Sequence, residues 1–434
     1  MTGAPSGSIT ESLLAALLCR DIATFEKRFH EGLKFNDFAD ELVWQVGESG
    51  LAGLFFERAC ELNVNEYFAG LNIAGGGNFF DYLEAQAKQV AIKSLQFEER
   101  FYELRKFLAD FADSIIWLKS TVLVRTLYEK LNYRVGVDFD VVVREKNLPQ
   151  LLNRLSLAGW RPLMDDPGHC HQIGVGPTRR LSDLFLVPHG ELESCHNLTM
   201  SAPGWPHLEL KFNPLDNGVM MKELDRFFSQ AVDVQWHGDT FKAPKLVDHL
   251  IVELVHLHKH RLFGFGWMHD IHLLCNKLNE DPNHWMELTA RCRKEGVRES
   301  ARAALVRVKE LLKTDVPEDV IAELGSGGTL TRPFVNSVST EFIWNANSLP
   351  MLVLNAAVLG DSNHKLKILK ESIFPQDKFL SAYYLDGKQP TFLGRLKSLV
   401  LHWLVLVLPA GVVRQSFGKM YWASAGKDEF ILNG

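Results

Sequence analysis

The chain has 434 residues, 46% of them hydrophobic, and a formal net charge of −6 at pH 7. That is enough apolar content for a large core spread over two or three domains, and the acidic balance excludes a chain-wide basic footprint for nucleic acid. Six scattered cysteines (Cys19, Cys60, Cys170, Cys195, Cys275, Cys292) contain no Cys-x-x-Cys pair, which fits reduced thiols better than a disulfide framework. Met1 to Thr10 is small and polar without a basic leader, so a cytoplasmic location is expected.

Residues 1–110 read as helical. Leu13, Leu14, Leu17 and Leu18 open one amphipathic segment, and Ala74-Gly75-Gly76-Gly77-Asn78 marks a loop. Phe80 to Leu108 then carries Leu83, Ala87, Val90, Ala91, Leu95, Phe101, Leu104 and Leu108 on one helical side. Ile115 to Leu118 reads as a buried strand, broken by Lys119-Ser120-Thr121, and helical spacing resumes from Val122 to Leu131. Val137 to Val143 is the second strand, Asn147 to Leu157 a short helix closed by Ala158-Gly159, and Trp160 to Leu163 a further strand. Residues 165–206 are rich in Gly, Pro and His and read as hairpins and loops, after which His207 to Phe212 alternates as a half-buried strand. Val247 to Leu274 is helical and dense in histidine. The apolar run Leu399 to Val413 is broken by His402 and Pro409 and falls short of the ~20 residues that span a bilayer. A buried core helix is expected there, with an interfacial membrane helix over 392–414 as the alternative.

Side chains alternate across a strand, so Asp138 and Asp140 share one face while Phe139, Val141 and Val143 line the other. Two carboxylates ~6–7 Å apart along one strand repel unless a cation lies between them, and hard Mg²⁺ suits such oxygen ligands. The competing reading is an edge strand whose Asp-x-Asp faces water. Glu209, on the alternating strand downstream, supplies a third carboxylate.

Leu118-Lys119-Ser120, Leu127-Tyr128, Arg134, Asp138-Phe139-Asp140-Val141 and Gly159-Trp160 occur in this order. So arranged, they resemble the uncharacterised nucleotidyltransferase family of the polymerase-beta-like superfamily. Ser120 stands where that family usually has Gly, and Lys211 where it has a histidine two positions after the acidic residue. His256, Lys259, His260 and Asp270 fall on its later helical positions. The resemblance implies an α+β fold: a small mixed-sheet nucleotidyltransferase core at 111–216, a helical N-terminal region at 1–110 and a mainly helical C-terminal region at 217–434. It implies metal ions, Mg²⁺ or Mn²⁺, on Asp138, Asp140 and Glu209, two of them ~3.5–4 Å apart. It also implies an NTP donor contacted by Lys119, Ser120, Arg134, His256, Lys259 and His260. Ser120 is expected to cap the helix that follows and to donate to phosphate. Arg134 has an alternative role, pairing with a nearby carboxylate.

The expected reaction is nucleotidyl transfer to a small-molecule, peptide or sugar acceptor. Extended nucleic acid is not expected, although transfer to tRNA stays open. The alternatives are phosphoryl or glycosyl transfer from a nucleotide donor, and a nucleotide-binding scaffold without turnover. His256 and His260 share a helix face at zinc-like spacing, but the glutamate of His-Glu-x-x-His is absent. Cys170-His171 and Cys195-His196 are a second soft-ligand candidate, set against the difficulty of turning adjacent residues onto one ion.

Overall fold

The computed structural model describes residues 6–74, 76–162, 197–215, 221–260, 262, 264–325, 374 and 391–407. Six helices come first: α1 (Ser6–Leu18), α2 (Ile22–Gly32), α3 (Phe38–Ser49), α4 (Ala52–Glu61), α5 (Asn65–Ala69) and the long α6 (Phe79–Phe107). Asn78 caps α6 by accepting from the Asp81 N–H at 2.9 Å, which ends the glycine loop where the apolar periodicity begins. The sheet elements follow as β1 (Ile115–Trp117), α7 (Lys119–Thr126), β2 (Asp138–Val143), α8 (Leu148–Leu157), β3 (Arg161–Pro162), β4 (Asn197–Ser201) and β5 (His207–Lys211). Then come α9 (Leu224–Ser229), the hairpin β6 (Val232–Trp236) and β7 (Asp239–Ala243), α10 (Leu246–Lys259), α11 (Phe265–Leu278), α12 (Asn283–Glu295), α13 (Arg298–Leu312), α14 (Glu318–Leu324) and α15 (Phe392–Val407).

The five strands run in the order β1-β2-β5-β4-β3. β1 pairs antiparallel with β2, β2 parallel with β5, and β5 antiparallel with β4, so the sheet is mixed as expected. Its two faces meet different cores because side chains alternate. Phe139, Val141, Val143, Leu208 and Leu210 pack with Phe97, Phe101 and Leu104 of α6, with α8, and with Phe241 of the hairpin. Phe97 lies 4.4 Å from Phe139 between ring centroids, and Phe101 meets Trp117 edge-on at 4.9 Å. The opposite face carries Ile116 and Val142 into a second core shared by α1–α4, the first half of α6, α10, α11 and α13. Helix α6 therefore spans both cores, and the acidic face of β2 looks toward the helical one.

Local details depart from the sequence reading. The helix expected over Val122 to Leu131 begins at Lys119 and stops at Thr126, followed by a single turn at Leu131–Tyr133. The helix expected over Val247 to Leu274 is two helices, broken where Leu262 and Gly264 take positive φ (61° and 110°). On α15, Phe392, Leu393 and Leu396 just before the C-terminal apolar run and Val400 and Trp403 within it are exposed, and the run beyond residue 407 lies outside the described residues. No described helix is long and apolar enough to cross a membrane.

Candidate active site

The parallel register of β2 and β5 sets Asp138 beside His207 and Asp140 beside Glu209. Paired residues on neighbouring strands project to the same face, so Asp138, Asp140 and Glu209 meet there. Their ligand oxygens all lie within 4.8 Å of one another. Asp140 is fully buried, and its Oδ2 has no hydrogen-bond donor among the described residues. Burial pushes the carboxyls of Asp138 and Asp140 above their ordinary range; Glu209 adds to both, and Lys119 opposes it.

The end of β1 delivers Lys119 to this cluster. The Leu118 N–H donates to the Asp140 carbonyl at 2.9 Å, which brings the strand-to-helix turn alongside β2. Lys119 takes a left-handed φ of 51°, a conformation costly for a side chain with a Cβ, and its Nζ lies 2.6 Å from Asp140 Oδ1 and 3.9 Å from Glu209 Oε2. The expected capping role of Ser120 is corrected here. Leu118 occupies the N-cap without a side-chain cap bond, and Ser120 sits buried in the first turn, where it lines the cleft.

Lys211 emerges as a further member. Its Nζ lies 3.2 Å from Glu209 Oε2 and 3.5 Å from Asp140 Oδ1, and the residue is only 2% exposed. The alternation that set Glu209 inward also sets Lys211 inward, so the strand pattern already carried this signal.

A cleft of about 350 Å³ opens in front of the carboxylates, its wall including Lys119, Ser120, Arg134, Asp138, Glu209, His256, His260, Trp267 and Asp270. Arg134 follows the pairing alternative: its Nε and Nη2 both reach Asp270 Oδ2 at 3.2 Å, and Nη1 donates to the Val135 carbonyl. The Tyr128 hydroxyl donates to the other oxygen of Asp270 at 2.6 Å. The guanidinium still lines the cleft, so its charge is felt there even while its hydrogens are engaged. Two glycines make room for it. A Cβ on Gly266 would lie 2.5 Å from the Ser49 carbonyl and 2.9 Å from Arg134 Cζ, and one on Gly50 (φ +65) would lie 2.8 Å from Arg134 Nη1.

His260 stacks on Trp267 at 4.1 Å between ring centroids, and His256 meets the same indole edge-on at 5.1 Å. Trp267 was not among the expected site residues, because an aromatic in an amphipathic helix reads as core. The side chain of Lys259 falls outside the described residues, as do Cys170-His171 and Cys195-His196. Among the described residues the acidic triad is the one group of His, Cys, Asp and Glu suited to a metal ion, so the paired histidines gather no third ligand. Burial holds His258, which is fully buried, down to about 4 and His269, whose Nδ1 lies 3.0 Å from the Tyr128 hydroxyl, down to about 3.

A mixed sheet that gathers three carboxylates beside a cleft, with a lysine at the preceding strand-to-helix turn, is the arrangement expected of a nucleotidyltransferase-type core. The family model described as uncharacterised nucleotidyltransferase matches residues 37–313, well over half of the chain, and the protein belongs to that family. No curated protein and no solved structure matches.

Proposed function

We propose that the protein transfers a nucleotidyl group from a nucleoside triphosphate to an acceptor hydroxyl, with Mg²⁺ or Mn²⁺ held by Asp138, Asp140 and Glu209. The observation that carries this reading is the convergence of three carboxylates within 4.8 Å beside a cleft of about 350 Å³. The donor set fits a hard divalent cation: every ligand is an oxygen, and one buried carboxylate oxygen lacks any hydrogen-bond donor among the described residues. Bound there, the cation would neutralise charge on the triphosphate and make the acceptor hydroxyl more acidic.

The chain's own residues divide the remaining work. Lys119 meets a triphosphate oxygen as a point charge, and the N-terminal turn of α7 offers backbone N–H groups to the same anion. Glu209, partly exposed on the cleft side, takes the acceptor's proton. Arg134, fixed by Asp270, adds positive potential without moving. His260, His256 and Trp267 form an aromatic wall against which a nucleoside packs. Lowering of the barrier then rests on positioning and charge, since little covalent chemistry is asked of the protein. The cleft volume lies in the range of small-ligand sites, which favours a small molecule, peptide end or sugar as acceptor over an extended nucleic acid.

The test is a panel of NTPs labelled at the α-phosphate, incubated with Mg²⁺ or Mn²⁺ and with small-molecule, peptide and sugar acceptor pools. Label transferred to an acceptor with release of pyrophosphate is the expected result. Release of a nucleoside diphosphate instead would overturn the reading in favour of phosphoryl or glycosyl transfer.

A further inference from the structure

The triad brings three formal negative charges together, and two lysines already face them. Both ammonium groups bridge the same pair of oxygens, Asp140 Oδ1 and Glu209 Oε2: Lys119 at 2.6 and 3.9 Å, Lys211 at 3.5 and 3.2 Å. Their surroundings differ. Lys119 lines the cleft, whereas Lys211 is 2% exposed, stands behind the carboxylates and takes no part in the cleft wall. A lysine is rarely buried so deeply unless paired. Withdrawing this one into water would mean pulling it out of strand β5, so its amino group stays beside Asp140 and Glu209.

We propose that Lys211 takes the place of a second cation, so that the triad holds one divalent ion rather than two. The inference rests on the metal-dependent reading above. With Lys211 fixed beneath Asp140 and Glu209, the three carboxylates and this lysine sum to −2, which a single divalent ion neutralises. Lys119, at the cleft wall, is the lysine placed to turn from Asp140 toward the triphosphate. Asp140 Oδ2, which no described residue donates to, is open to one ion; the oxygens left for a second, Asp140 Oδ1 and Glu209 Oε2, already face the buried ammonium, so a second ion would meet a large electrostatic cost in a poorly solvated site. Lys211 is thus a positioning residue: it acts through the carboxylates it holds.

Mn²⁺ is the probe, counted by electron paramagnetic resonance on the full chain with a saturating non-hydrolysable NTP analogue. One bound Mn²⁺ per chain with a mononuclear six-line spectrum is expected for wild type. Two bound ions with a spin-coupled spectrum would overturn the inference and leave the metal-dependent reading intact. No bound Mn²⁺ would overturn the reading itself, and the inference with it. Lys211→Gln removes the fixed charge, so a second Mn²⁺ should enter and couple to the first, while Lys211→Arg should restore the mononuclear signal. A folded Lys211→Gln protein that still binds one ion would also overturn the proposal. If that variant does not fold, the wild-type count alone decides.

Discussion

Replacing Arg134 by Met keeps much of its length and removes its charge, leaving Asp270 in the helical core without its cation. The Asp270 side chain is 2% exposed and that of Arg134 11%, with two guanidinium nitrogens at 3.2 Å from one carboxylate oxygen. Removing one member of such a buried pair costs about 3–5 kcal/mol, and the Tyr128 hydroxyl at 2.6 Å can compensate only in part. Burial already raises the Asp270 carboxyl above its ordinary range, with Arg134 pulling it back. Losing the guanidinium therefore raises it further. A carboxyl with a raised folded-state pKa contributes stability that is present at low pH and lost as pH climbs through that value. The penalty of Arg134→Met should consequently be smaller at pH 5 than at pH 8. Urea unfolding at both values measures it, and a cycle with Asp270→Leu isolates the pair, since the double variant should recover much of the loss. A loss below about 1 kcal/mol at pH 8, the size of an exposed pair, or a loss independent of pH, would refute a structural role for this ion pair.

Further outcomes follow from the same geometry. Gly266→Ala sets a Cβ 2.5 Å from the Ser49 carbonyl, a backbone atom with little room to give, so it should destabilise the fold by about 1–3 kcal/mol in thermal or urea melts. An unchanged midpoint would mean that α3 and α11 are not this close. Lys119→Ala should weaken NTP binding at least tenfold by calorimetry, about 1.4 kcal/mol, with a smaller effect on melting temperature because Lys211 still faces Asp140 and Glu209. Unaltered affinity would remove Lys119 from the phosphate site.

The strand period made the carboxylates legible before any coordinates. Asp138 and Asp140 had to share a face, whereas the face of Glu209 stayed open. What alternation could not supply was the parallel register of Asp140 against Glu209, which depends on a connection of more than sixty residues. Lys211 was equally legible in that pattern, two residues beyond Glu209 and so on the same strand face. The Arg134–Asp270 pair spans 136 positions and follows from how the helices fold back on the sheet. Ser120 looked like a cap because serine favours N-caps, yet the turn into α7 is made by Lys119 in the left-handed region, which moves the cap back to Leu118. Trp267 reads as core on a helical wheel, and only the break between α10 and α11 turns it toward the cleft.

The central claim is that Asp138, Asp140 and Glu209 hold a divalent cation for a nucleotide, and Asp138→Asn tests it most directly. The ion pairs to Lys119 and Lys211 run through Asp140 and Glu209, so this change leaves them in place. Burial already disfavours the charged form of Asp138, so in the absence of metal the variant should melt at or slightly above wild type. With the Mg²⁺–NTP complex present at about 100 times its dissociation constant, wild type should gain about 2.7 kcal/mol through linkage, and the variant almost none. Equal melting of the two proteins under every combination of Mg²⁺ and nucleotide would contradict the account.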